Sequence, residues 1–166
     1  MKIRLSGIYK NSIVDGPGIR YAIYTQGCQH QCPGCHNPGT HDILGGYLNK
    51  TTDVINDVLK YPLIKGITIS GGEPFLQIEA VLEITNTFYG HKDIMIYTGF
   101  DYDFLLEKAK KDEMLDQLLH TVDYIVDGKF IQALRDLSLT YRGSSNQRII
   151  DVKQTRIKKE IILKEF

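Results

Sequence analysis

The strongest constraint in this sequence is an alternation. Short apolar runs, most of them ending in glycine, alternate with longer segments of helical periodicity. Residues 19–25 (IRYAIYT), 66–70 (GITIS), 93–98 (DIMIYT), 122–126 (VDYIV) and 147–152 (QRIIDV) read as strands. Short apolar runs bounded by glycine suit parallel strands buried on both faces. Between them, residues 51–61 place Val54, Ile55, Val58 and Leu59 on one helical face, with Thr51 or Thr52 as N-cap. Residues 77–89 repeat the pattern with Ile78, Val81, Leu82, Thr85 and Phe88. Residues 101–120 do so with Phe104, Leu105, Met114, Leu115, Leu118 and Leu119. The all-charged Lys110-Lys111-Asp112-Glu113 predicts a break that makes this last segment two helices.

Strands alternating with helices build βαβ units with right-handed crossovers. With 166 residues, the chain is too short for a full eight-stranded β/α barrel, which takes about 250. Two architectures remain: a doubly wound open sheet, or a partial barrel. In both, ligands bind beyond the C-terminal ends of the strands. Gly27, Gly71, Gly99 and Gly128 then share one mouth. A single domain over residues 1–166 is expected, with no repeat or linker dividing it.

Charge excludes some functions. Twenty Lys and Arg balance twenty Asp and Glu, so no overall basic field is available to steer nucleic acid. The tail after Val152 leans basic, with Lys153, Arg156, Lys158, Lys159 and Lys164, which reads as a solvated face without an assigned role. No run approaches the ~18 apolar residues of a membrane span, and residues 1–10 hold no apolar stretch of signal-peptide length. A cytoplasmic protein with no membrane partner is the expectation.

The chain has three Cys, all within Gly27-Cys28-Gln29-His30-Gln31-Cys32-Pro33-Gly34-Cys35-His36-Asn37. An odd number at C-x3-C-x2-C spacing argues against a disulfide framework and for a metal or reactive site. Three thiolates on one short loop can wrap one metal centre. Buried structural cysteines, or one disulfide with a spare thiol, are the plainer readings. Zinc is another, with His30, His36 or His41 completing a Cys3His set. A [4Fe–4S] cluster normally takes four Cys. Three would leave one iron open to substrate.

This loop, at the end of the first predicted strand, resembles that of the radical S-adenosylmethionine enzymes. By that resemblance Cys28, Cys32 and Cys35 hold three irons of a [4Fe–4S] cluster, and the fourth iron binds S-adenosylmethionine. No side chain of the chain itself is then a catalytic acid, base or nucleophile. Many members carry an aromatic residue before the third Cys, where this chain has Gly34; Gly34, Cys35 and His36 are expected to flank the nucleoside. Ser70-Gly71-Gly72-Glu73-Pro74 follows the second predicted strand. Paired glycines there expose backbone to a ligand, and Glu73 offers a carboxylate to an ammonium group. The segment is similar to the family's GGE-P motif, which implies that Ser70, Gly71, Gly72 and Glu73 contact the methionine end of the cofactor.

Val14-Asp15-Gly16-Pro17-Gly18-Ile19-Arg20 reads locally as a Pro-Gly turn feeding a strand. It is also similar to the leader of glycyl-radical activating enzymes. Tyr97-Thr98-Gly99-Phe100, Val126-Asp127-Gly128-Lys129-Phe130 and Arg142-Gly143-Ser144-Ser145-Asn146-Gln147-Arg148 narrow the resemblance to activases of anaerobic (class III) ribonucleoside-triphosphate reductase. The resemblance implies a partial, open TIM-like barrel with about five to six parallel strands. It implies the reductase as protein substrate and a flavodoxin-like electron donor. Activation of a pyruvate formate-lyase-type enzyme and a non-enzymatic zinc module are the alternatives. Taken singly, Asp127-Gly128 could be a strand-ending turn and Tyr97 a core residue. Arg142 could meet a carboxylate, Asp151 or a partner. His30, His41, His91 and His120 are assigned only surface positions or local hydrogen bonding.

Overall fold

The computed structural model describes residues 1–166. In chain order its elements are β1 (Lys2–Ser12), β2 (Arg20–Thr25), β3 (Tyr47–Lys50), α1 (Thr51–Val58), β4 (Gly66–Gly71), α2 (Ile78–Phe88), β5 (Asp93–Tyr97), α3 (Tyr102–Ala109), α4 (Glu113–Thr121), β6 (Tyr124–Asp127), β7 (Arg148–Asp151) and α5 (Val152–Lys158). The strands form one mixed sheet in the order β3-β1-β2-β4-β5-β6-β7. Neighbours among β2, β4, β5 and β6 pair in parallel, while β1, β3 and β7 join antiparallel.

The alternation therefore stands, but five to six parallel strands become four. β7 runs antiparallel because no crossover helix precedes it. The 20 residues between β6 and β7 hold only a short helical turn over Gln132–Leu134, with no helix to pack on the sheet and bring the chain back in parallel. β1 and β3 are additions to the sequence reading. Ile3 and Leu5 of β1 are buried at alternate positions, a period-2 signal confined to two residues. β3 buries no side chain and is held by its backbone pairing with β1, so it has no apolar pattern to read.

The charged break is real. α3 stops at Ala109, and Asp112 caps α4 by accepting from Leu115 N at 3.1 Å. The N-cap of α1 is Lys50 and not a threonine. Thr51 is the first helical residue, and its hydroxyl donates to Glu83 Oε2 at 2.6 Å, tying α1 to α2.

The two sheet faces differ. Tyr21, Ile23, Ile67, Ile69, Ile94, Ile96 and Ile125 point into a core of 26 buried residues shared with α1 to α4. The other face carries a cluster of three, Met95, Val126 and Ile149. On that second face lies the leader. Arg20 is fully buried, donates to Thr68 Oγ1 at 2.6 Å and pairs with Asp93 at 2.5 Å. Asp15 accepts from Tyr24 Oη at 2.7 Å, and its carbonyl accepts from Thr68 at 2.6 Å. The leader thus packs across the second face, from Arg20 at the start of β2 to Tyr24 near its end. The basic tail folds back beyond α5: Asp151 N donates to Ile162 O and Lys164 N to Ile149 O, covering the free edge of β7.

Candidate cofactor site at the strand ends

The chain leaves β2 into a loop whose two ends are pinned together. Gly27 N donates to Thr40 O at 2.8 Å and Cys28 N to His41 O at 3.4 Å. The Gln26 amide donates to Gly39 O and Asp42 O at 3.0 and 2.7 Å. Inside it, Gln31 takes a left-handed φ of 48°, an uncommon backbone for a residue with a side chain. Cys28, Cys32 and Cys35 are unpaired and half-buried. All three line one cavity of about 110 Å³, together with Ser70, Gly71, Gly72, Tyr97 and Thr98. Larger grooves, of about 450 Å³ beside Phe75 to Ala80 and about 550 Å³ beside Tyr24 and Gln26, contain no cysteine.

The cysteine surroundings fit an iron–sulfur group. Asn37 N donates to Cys35 Sγ at 3.4 Å. Burial pushes the Cys28 thiol up, partly offset by the backbone N–H groups of His30 and Gln31, with the Glu73 carboxylate adding to the rise. Backbone N–H groups aimed at sulfur are what stabilise cluster thiolates. No three His, Cys, Asp or Glu side chains gather around a single ion-sized point. Cluster cysteines need no such convergence, since each takes a different iron.

Glu73 is the hub of the site. It is fully buried. Its carboxylate accepts from Phe75 N (3.1 Å), Thr98 Oγ1 (2.9 and 3.0 Å) and Gly99 N (2.9 Å), and His30 Nε2 lies 2.7 Å from Oε2. These bonds join the cysteine loop to the ends of β4 and β5. The side chain expected to meet an ammonium group is thus engaged within the protein. What the turn shows the cavity is Ser70, Gly71 and Gly72. Gly71 has φ +95°, and a Cβ there would lie 2.6 Å from Thr25 N and O. A Cβ on Gly72 would overlap the carbonyl oxygen of Gly27. The paired glycines therefore let the two loops touch.

His30 corrects the sequence reading. Its side chain is 6% exposed, and its ring meets Phe100 edge-on at 4.6 Å. A residue assigned only a surface position or local hydrogen bonding is instead buried and bonded to the end of another strand. The available signal was its place within the cysteine loop; its acceptor lies 43 residues away. The far wall comes from the segment after β6. A Cβ on Gly34 would meet the Gln132 side chain at 2.9 Å. The His36 ring packs on Phe130 at 4.9 Å, and a Cβ on Gly143 would lie 3.1 Å from His36.

Asp127 is more than a turn residue. It is 1% exposed, caps α3 by accepting from Tyr102 N at 2.8 Å, and pairs with Arg148 at 2.5 Å. Tyr97 lines the cavity, and burial pushes its hydroxyl well above the usual range. Arg142 donates to Gln147 O at 3.3 Å. Ser144 is buried and donates to Asn146 at 2.7 Å, while the Gln147 side chain accepts from Gly143 N at 2.8 Å. The RGSSNQ segment is thus a self-bonded loop beside the cavity.

Residues 14–150 match the 4Fe-4S single cluster domain family. The chain is 38% identical over 150 residues to the anaerobic ribonucleoside-triphosphate reductase-activating protein of Vibrio cholerae serotype O1, covering 85% of this chain and 93% of that one. The protein of the same name in Escherichia coli K12 is 36% identical over 148 residues, covering 84% and 92%. The pyruvate formate-lyase-activating enzyme of Listeria monocytogenes is 35% identical over 156 residues, covering 89% of this chain and 61% of that enzyme.

Proposed function

The chain belongs to the family of anaerobic ribonucleoside-triphosphate reductase-activating proteins, and from that premise we propose that it activates such a reductase from the cavity at its strand ends. Cys28, Cys32 and Cys35 hold a [4Fe–4S] cluster. When bound, the cluster supplies an electron and an open iron for cleavage of S-adenosylmethionine to methionine and a 5′-deoxyadenosyl radical, which takes a hydrogen atom from a glycine of the reductase. The observation that carries this is the gathering of all three unpaired thiols with the Ser70-Gly71-Gly72 turn around one cavity.

The remaining roles fall to the chain's own residues. The Gly71-Gly72 backbone faces the methionine end of the cofactor. Glu73 acts from beneath, holding that turn against the cysteine loop through His30, Thr98 and Gly99. Gly34, Cys35 and His36 flank the nucleoside, with His36 fixed by Phe130. Tyr97 helps to exclude water, which a reactive primary radical requires. A flavodoxin-like protein supplies the electron. We read the sheet as a partial, open barrel. Its helices share one core on one face, where a doubly wound sheet would carry helices on both. Loops from β2 and β6, the two ends of the parallel run with two strands between them, also meet at Gly34 and Gln132. The open side admits a protein loop.

Anaerobic reconstitution with iron and sulfide, then reduction with S-adenosylmethionine present, tests this. Methionine and 5′-deoxyadenosine should form in equal amounts. Cys28→Ala, Cys32→Ala and Cys35→Ala should each abolish them. Zinc without iron or sulfide in the purified protein would overturn the reading. The Listeria relative favours a second target, a pyruvate formate-lyase-type enzyme. Electron-spin detection of a glycyl radical on each candidate partner decides between them.

A further inference from the structure

Most polar side chains lining the cysteine cavity already have partners. His30 is engaged with Glu73, the Thr98 hydroxyl donates to Glu73, and the Gln147 amide donates to Gly128 O. His41 differs. It lines the same cavity, its Nε2 is buried, and that nitrogen has no hydrogen-bond partner. Native structures seldom keep a buried polar atom without something to satisfy it.

His41 is also held firmly. Its N–H donates to Pro38 O at 3.2 Å and its carbonyl accepts from Cys28 N at 3.4 Å, while the preceding Thr40 carbonyl accepts from Gly27 N at 2.8 Å. The residue therefore lies alongside the first cysteine at the neck of a pinned loop. It shares a backbone bond with Cys28 and none with the Gly71-Gly72 turn.

We propose that His41 donates a hydrogen bond from Nε2 to a cluster sulfur on the Cys28 side and so raises the cluster's reduction potential. The proposal rests on the reading that Cys28, Cys32 and Cys35 hold that cluster. The physical reason is charge. Reduction makes the cluster more negative, and an N–H dipole aimed at sulfur stabilises that form more than the oxidised one. His41 is thus a positioned donor that tunes the cluster and is neither a metal ligand nor a proton carrier.

The test uses the full chain, reconstituted anaerobically with iron and sulfide and without S-adenosylmethionine. Wild type, His41→Phe and His41→Gln are compared for iron and sulfide content. Their midpoint potentials are then read by electron-spin titration with dithionite and redox mediators. Equal cluster content is expected, with a more negative midpoint in His41→Phe and a return toward wild type in His41→Gln, whose amide restores a donor. A full cluster with an unchanged midpoint in His41→Phe overturns the proposal. So does an unchanged midpoint with weakened S-adenosylmethionine binding, which would assign the donor to that cofactor. Should His41→Phe fail to fold, pulsed electron-spin measurement on reduced wild type with isotope-labelled histidine still decides. Weak coupling to a histidine ring nitrogen supports the hydrogen bond, and its absence refutes it. Wild type that takes up no cluster would instead sink the underlying cofactor reading, an outcome separate from these.

Discussion

His30 Nε2 lies 2.7 Å from Glu73 Oε2, with the two side chains 6% and 0% exposed. This bond joins the cysteine loop to the Gly-Gly turn, and it changes what Glu73 does. Glu73→Ala would orphan donors on His30, Phe75, Thr98 and Gly99. Each buried donor left unpaired costs ~1–3 kcal/mol, so the expected loss is on the order of 3–5 kcal/mol after relaxation. Thermal unfolding of the cluster-free protein should show this loss, and His30→Ala should show a smaller one. If both variants melt with wild type, the bond is not structural.

Gly72 should refuse a side chain. A Cβ there overlaps the Gly27 carbonyl oxygen, which is backbone and cannot rotate aside. Glu73 N donates to that same oxygen at 2.8 Å. Gly72→Ala should therefore cost ~1–3 kcal/mol by overpacking and also lower iron uptake, because it separates the two loops. Gly39→Ala, with nothing within 4 Å of its Cβ, is the control. Equal iron content in the two variants would contradict the argument.

Arg148 faces a buried charge. Asp127 is 1% exposed and accepts from both Arg148 and Tyr102 N. Removing one partner of a buried pair costs about 3–5 kcal/mol. Arg148 itself is a third exposed, so water can reach the site and the lower end is expected for Arg148→Ala. Denaturant unfolding should show Arg148→Ala/Asp127→Asn losing less than the sum of the single changes. Strict additivity would mean that the two do not interact.

Acid should weaken the joint between α1 and the sheet. Asp57 is bridged by Lys10 at 2.7 Å and Tyr21 at 2.6 Å. These bonds, Lys10 first, bring its carboxyl down from 3.8 to about 2. A depressed carboxylate contributes its stability above the unfolded value and loses it as pH falls through the folded one. Wild type should therefore lose stability more steeply than Asp57→Asn between pH 3.8 and about 2. Parallel stability curves over that window would rule the coupling out.

The legible parts of this fold were those with a local signal. The cores of β2, β4, β5 and β6 stand where apolar runs predict them, and the charged Lys110–Glu113 segment broke a helix as read. β3 escaped because its side chains face solvent and its partner, β1, is more than 40 residues earlier in the chain. The direction of β7 escaped because an apolar run says nothing about which way its neighbour points. Within the site, C-x3-C-x2-C and Gly-Gly-Glu-Pro were visible as spacings, and the structure puts both on one cavity. The difference between His30 and His41 was not visible, since both are simply histidines near cysteines.

The sequence by itself determined the alternation of the four parallel strands with their helices, and the spacing of the cysteines and glycines proposed to form the site. Residue type, periodicity and glycine placement act locally and can be read locally. Only the tertiary structure decided which polar atoms are spent and which are free. Glu73 turned inward because donors from three separate segments converge on it, and His41 keeps an unpaired nitrogen because no protein partner reaches it. Hydrogen-bond satisfaction depends on neighbours distant in the chain, and those neighbours exist only once the sheet has formed.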